Sequence, residues 1–166
     1  MERVVPVLIL LGVFLGILSL MYLGWRARGA RQTDLPAPEA DEPLELLDGG
    51  VAHGPIDAVY VSTVLADQPL ERVVAHGLGT RSRARLSRGV GGSWRIEREG
   101  APSFTIHGDQ VLDVAAAGGM AGKVVGGDGL LVIRWQHGPD ATALDTGLRL
   151  AHRADHDLLL RKEHTR

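Results

Sequence analysis

The chain has 166 residues, a net charge of −2 and 45% hydrophobic residues, room for one domain plus accessory segments. With so small a net charge and only 4% aromatic residues, it lacks both the bulk field and the stacking surfaces that nucleic-acid binding draws on. It has no cysteine, which excludes disulfides, thiol catalysis and zinc–thiolate sites and fits a reducing compartment.

Val4 to Trp25, "VVPVLILLGVFLGILSLMYLGW", contains no charged residue and is long enough for a membrane-spanning helix, which needs about 20 residues. Tyr22 and Trp25 at its C-terminal end suit the headgroup level. The apolar run exceeds a secretory h-region, and no A-x-A-like cleavage site precedes the arginines that follow. Arg26, Arg28 and Arg31 outnumber Arg3 on the other flank, so the positive-inside bias places the C-terminal side in the cytoplasm of a plasma-membrane protein. Gly12-x-x-x-Gly16 is a weak helix-pairing signal.

The composition then changes. Gln32 to His53 carries prolines at 36, 38 and 43 and six acidic residues (Asp34, Glu39, Asp41, Glu42, Glu45, Asp48), without Lys or Arg. Like charges and prolines predict an extended, solvated linker, with Leu44, Leu46 and Leu47 available for local docking. The chain thus divides into an anchor at 1–25, an acidic Pro-rich linker at 26–53 and a soluble domain at 54–166.

Within that domain, short β-type runs alternate with turn signals. Strands are expected at 57–66, 79–88, 93–98, 103–108, 111–117, 130–137 and 143–150. In the first of these, Ala58, Tyr60, Ser62 and Val64 share one face and Val59, Val61, Thr63 and Leu65 the other. A helix should begin at Ala154 or Asp155, with Asp157 in its first turn and Arg161, Lys162 and His164 near its C-terminus. Leu158, Leu159 and Leu160 would supply its buried contact. About seven strands followed by one helix describe a mainly β protein: a partly open antiparallel barrel plugged by a C-terminal helix, as in pleckstrin-homology-like (PH-like) domains.

"GGMAGKVVGGDG" (118–129) invites comparison with a phosphate-binding loop, which requires G-x-x-x-x-G-K-[ST] followed by a helix. The first glycine position holds Ala117, the Ser/Thr position holds Val124, and a strand follows. The run therefore predicts turns flanking a short β segment, with Gly126 to Gly129 closing a hairpin and Lys123 at a loop rim. No cofactor is implied.

"VYVSTVL", "ERVVAHGLGTRSRARL", "GGMAGKVV", "LLVIRWQHG" and "LDTGLRL…ADHDLLL" together resemble the actinobacterial single-pass membrane proteins with a PH-like domain, whose genes often lie near pyrimidine-biosynthesis genes. The resemblance spans nearly the whole chain. It implies a PH-like fold and a membrane tether, and it carries no catalytic residue over.

The residues suggest one binding surface. Alternation puts Arg81, Arg83 and Arg85 on one strand face and Ser82, Ala84 and Leu86 on the other. Arg88, Arg95 and Arg98 are close enough in sequence to extend the patch, and Lys123 is a further basic rim residue. Such an array suits anionic lipid headgroups, an acidic protein partner or the acidic linker itself, although Glu97 and Glu99 could balance it as a solvated face. Of the seven histidines, His152 and His156 have helix-face spacing, but no H-E-x-x-H signature accompanies them, so no metal site is expected. His76 reads as a turn residue. Asp145-Thr146-Gly147 supplies only one carboxylate where aspartic-protease chemistry needs two. The expectation is a non-catalytic, membrane-tethered binding or scaffold module recognising a protein or anionic lipid. The alternative is an accessory subunit of a transporter or other membrane complex, and the least favoured reading is a small enzyme.

Overall fold

One long strand organises the domain. In the computed structural model, which describes residues 10–23, 35–124 and 129–160, β1 (Val51–Leu65) pairs with three other strands. Its first part, Val51 to Tyr60, lies against β3 (Ser82–Gly89), and its second, Ala58 to Leu65, against β10 (Thr142–Leu150). The other strands are β2 (Gln68–Arg72), β4 (Trp94–Arg98), β5 (Phe104–Ile106), β6 (Val111–Ala117), β7 (Gly119–Met120), β8 (Lys123–Val124) and β9 (Leu130–His137). The sheet is antiparallel and open, in the order β5-β4-β3-β1-β10-β9-β6, with β2 added against β1, and β7 and β8 form a separate ribbon. Eight strands in one sheet, followed by the C-terminal helix α3 (Arg153–Leu160), make the chain mainly β.

Strict alternation builds the core. In β9, Leu131, Ile133, Trp135 and His137 are buried on the inner face, while Arg134 and Gln136 are exposed on the outer one. The inner cluster joins Leu131, Ile133 and Trp135 to Tyr60, Leu86, Trp94, Ile96, Phe104, Leu144 and Leu148. Phe104 stands edge-on to Tyr60 at 6.2 Å and stacks on Trp135 at 6.1 Å, geometries that the ring quadrupoles favour. In α3, Leu159 is buried and Leu160 packs against the core, whereas Leu158 is exposed. The expected contact thus comes from two leucines, and residues 161–166 lie outside the described ones.

The faces expected for β1 hold only as far as Tyr60. A register shift between Tyr60 and Ser62 exchanges the two sides, as an extra residue in a strand must. Thr63 therefore joins Tyr60 inside. Its hydroxyl bonds the Tyr60 hydroxyl at 2.6 Å and the Thr146 hydroxyl at 2.8 Å, and Trp135 Nε1 donates to Thr146 at 3.0 Å. Tyr60 Oη also donates to the Leu78 carbonyl at 2.8 Å, so this buried polar chain is satisfied.

Val64, now on the outer face, belongs to a second small core with Met120 and Leu130. Ala121 and Gly122, both at positive φ, make the two-residue turn between β7 and β8, the type I′ geometry that suits tight hairpins. This hairpin brings Met120 onto Gly147, where a Cβ would sit 2.6 Å from the Met120 sulfur. Residues 125–128, including most of the expected Gly126–Gly129 hairpin closure, lie outside the described residues.

The acidic stretch corrects the sequence reading most. Residues from Leu35 onward belong to the same compact unit as the sheet, and those up to Asp34 form another. Far from being solvated throughout, residues 35–50 cross the β5 edge as a strap. Ala40 forms a bridge with Phe104, and the short helix α2 (Leu44–Leu47) seats Leu44 at 1% exposure. The cover protects the β5 edge from stray pairing, and the Ala40 bridge and buried Leu44 are what order a proline-rich acidic segment here.

In the first unit, residues 10–23 form a helix, α1. All of them are exposed, and Ser19 donates to the Leu15 carbonyl within the helix at 2.8 Å. The expected span Val4–Trp25 is thus helical over its described part, and 4–9 and 24–25 lie outside the described residues. Among the described residues no helix is long and apolar enough to cross a membrane, so the expected transmembrane helix is not found at full length.

Candidate binding surface

The β3–β4 hairpin presents its arginines in two ways. Arg81, Arg83 and Arg85 are exposed, while Ala84 and Leu86 are buried and Ser82 half-buried on the other side, the expected alternation. Across the strands Arg83 pairs with Val59, which pairs with Arg149, and Arg149 is also exposed. Among the described residues Arg81, Arg83 and Arg149 form no ion pair. Arg85 lies opposite Glu97 and reaches its carboxylate at 3.5 Å, so it is already part-neutralised.

Three neighbours that sequence proximity grouped with this patch behave otherwise. Arg95 is held by the strap: its Nε donates to Asp41 Oδ1 at 2.7 Å and its Nη2 to Oδ2 at 2.8 Å, with Glu97 at 3.6 Å. This fork–fork pair is the strong form of a charge-assisted contact. It holds the Asp41 carboxyl below its ordinary range and raises the Arg95 guanidinium. Arg88 turns inward at the end of the sheet, 5.6 Å over the Trp94 ring. Arg98 is not on the surface: it is buried on the Trp94–Ile96 side of β4 and bonds the Ser82 hydroxyl and the Gly77 and Thr80 carbonyls. Lys123 pairs with Met120 through the backbone of β8, and its side chain lies outside those described.

The strap continues along the same side of the sheet. Gln110 Nε2 donates to Glu39 at 3.0 Å, and His107 meets the same carboxylate. The Thr105 hydroxyl accepts from the Glu42 amide at 3.1 Å and donates to its carbonyl at 3.2 Å. Asp48 accepts from the Ser93 amide at 2.9 Å and from its hydroxyl at 2.7 Å. Gly89 makes room, since a Cβ there would collide with the Asp48 carboxylate. His76 Nε2 lies 2.8 Å from the Leu35 carbonyl and His137 Nε2 2.8 Å from that of Pro36. His76 is therefore a strap contact as well as a turn residue. The acidic linker, one of three partners the arginine array suggested, is thus in place on Arg95. The burial of Leu44 matches the local docking expected of it, whereas the remaining polar contacts of the strap escaped the sequence reading, because their partners lie far along the chain.

The other chemical candidates are structural. Asp145 is buried and forks Arg134 at 2.7 and 2.8 Å, raising the guanidinium's affinity for its proton. Its triplet partner Thr146 faces the core. His152 precedes α3, and His156 is buried within it. Among the described residues no three His, Asp or Glu side chains gather as a metal site.

No curated protein and no solved structure matches the chain. The family model described as Bacterial PH domain-like matches residues 32–164, a stretch that begins close to the strap and ends just beyond α3. That range, the open antiparallel sheet and the C-terminal helix agree with one another, and the chain belongs to the Bacterial PH domain-like family.

Proposed function

We propose that the chain is a non-catalytic binding or scaffold module, tethered to the plasma membrane by its N-terminal helix with the PH-like domain on the cytoplasmic side. The domain recognises an acidic protein surface or anionic lipid headgroups. The observation that carries this reading is the row Arg83–Val59–Arg149 on the outer face, with two exposed arginines that form no ion pair among the described residues and Arg81 beside it. Cations held on a rigid sheet without internal counter-ions are available to a partner, whereas Arg85, Arg95 and Arg98 are already engaged. A PH-like domain is compatible with such a role. The test is cross-linking and affinity purification of the full-length protein from its own membrane, beside the variant R81E/R83E/R149E. Loss of the captured partner, or of binding to anionic but not zwitterionic vesicles by the domain without its helix, supports the face. Equal capture and equal vesicle binding by the variant would remove it.

A second reading has its own observation. The large apolar residues of α1 are all exposed, from 45% at Leu18 to 71% at Leu20, so the helix has its entire surface available to lipid or to another helix. An accessory subunit of a membrane complex would use it for assembly. Replacing 4–25 with an unrelated apolar helix should then abolish the complex, while a simple tether would survive the exchange.

A further inference from the structure

The strap shows what its own groove accepts. Four kinds of contact hold residues 39–48: a bridge to the β5 edge at Ala40, the Asp41–Arg95 fork, the Thr105 hydroxyl clasping both backbone groups of Glu42, and Leu44 sunk to 1% exposure. This is how an extended peptide is recognised: edge pairing holds the backbone, and alternate side chains set specificity. The pattern is Asp-x-x-Leu, with an acidic residue two places before the Asp that meets Gln110 and His107.

The attachment is also exchangeable. Arg95 and Asp41 keep 26% and 32% side-chain exposure, and Glu39 keeps 48%. Water and salt therefore reach every charged contact except that of Asp48 with buried Ser93, and the strap makes one bridge where a full strand would make several. The exposed ion pairs and the single bridge are thus contacts that a competing segment can replace, while Leu44 and the bonds to buried Thr105 and Ser93 hold the rest. Departure of the strap would bare the β5 edge, Thr105, Ser93 and Arg95 together. Leaving such groups unpaired is unfavourable, so the favoured event is replacement by a segment carrying the same groups.

We propose that the β5 edge with Arg95, Thr105 and Ser93 is a receptor groove for an extended acidic Asp-x-x-Leu segment of a partner protein, and that residues 35–50 occupy it as an internal competitor. The proposal goes beyond the Arg81–Arg83–Arg149 face and does not depend on it, because among the described residues no ion pair joins those arginines to the strap.

The probe is a labelled synthetic peptide with the sequence of residues 36–50, PAPEADEPLELLDGG, titrated into the full-length protein in detergent. An internal competitor lowers apparent affinity by the fraction of molecules whose groove is free. The wild type should therefore bind the peptide about tenfold or more weakly than D41N/L44S. R95E in that background should abolish binding, and a scrambled peptide should not bind. Tryptophan fluorescence from Trp94 and Trp135 reports whether the double variant stays folded. If it does not, D41N alone, which alters only a part-exposed pair, gives the same reading with a smaller difference. No binding to a folded strap-weakened protein, or equal binding of the scrambled peptide, overturns the groove. Conversion of the weakened variant to a dimer that the peptide cannot dissociate overturns the partner assignment in favour of strap exchange between copies.

Discussion

Arg98 lies over Tyr60, its guanidinium carbon 4.0 Å from the ring centroid, inside the sheet rather than on the basic hairpin. The side chain replaces its lost water with the Ser82 hydroxyl and the Gly77 and Thr80 carbonyls and with the π face below it. Burial still lowers its affinity for the proton. Removing it takes the Arg98 donor from the Ser82 hydroxyl and the Thr80 carbonyl, while the Gly77 carbonyl keeps the Thr80 amide, so Arg98→Ala should destabilise the domain by about 2–4 kcal/mol. Arg98→Lys keeps the charge and loses the fork, so it should fall in between. Urea denaturation followed by tryptophan fluorescence measures both. A loss for Arg98→Ala no larger than that of a surface arginine such as Arg83→Ala would show that the contact is passive.

The inward placement of Arg98 was legible after all. It shares parity with Trp94 and Ile96, and alternation alone sends it inside; nearness in sequence to Arg95 was the weaker signal. The strands at 111–117 and 130–137 match the sequence expectation because their apolar runs are bounded by sharp turns. By contrast β2 was missed, although the turn that follows it at Ala75–Gly77 was expected at His76. "QPLERVVAHG" has no alternation, and its proline argues against a strand. The strap was misread for a different reason. Prolines and carboxylates do favour solvation locally, and only partners more than forty positions away, such as Ser93 for Asp48, reverse that preference. Of the candidate site, the alternation of Arg81, Arg83 and Arg85 was visible, but Arg149 was not, since only the β1–β10 register brings it beside Val59.

Met120 and Gly147 should behave as a coupled pair. A Cβ on Gly147 meets the sulfur at 2.6 Å and the methyl carbon at 3.0 Å, and the end of a methionine can move aside. Gly147→Ala should therefore cost about 1 kcal/mol, at the low end of overpacking. In a Met120→Ala background, the same change should cost little or nothing. A double-mutant cycle in urea reads the coupling, and strict additivity would show that the hairpin does not rest on Gly147.

Asp41 makes strap docking acid-sensitive. The Arg95 fork lowers its pKa below the ordinary 3.8, so the folded state binds protons less readily than the unfolded one. The associated stability is present above the ordinary value and is lost as pH falls through the lower, folded value. Exchange protection of the Glu42 amide, which donates to Thr105, should therefore hold at neutral pH and fall below about pH 4. Asp41→Asn should flatten that fall and lower protection at neutral pH. A pH profile unchanged by the substitution would detach docking from the pair.

Tyr60 sets the alkaline limit. Its phenol is pushed up to about 12, chiefly by burial, while in the unfolded chain it titrates near 10. A raised pKa means that the folded state keeps its proton after the unfolded state has lost it. The stability this represents is complete below about pH 10 and is lost progressively as pH rises towards about 12. Tyr60→Phe removes that step, and it also removes the bonds to Thr63 and to the Leu78 carbonyl, costing about 1–2 kcal/mol at neutral pH. Denaturation midpoints measured from pH 8 to about 12 should thus converge for wild type and variant as pH rises. Parallel curves would mean that Tyr60 ionises as freely inside the sheet as it does in water.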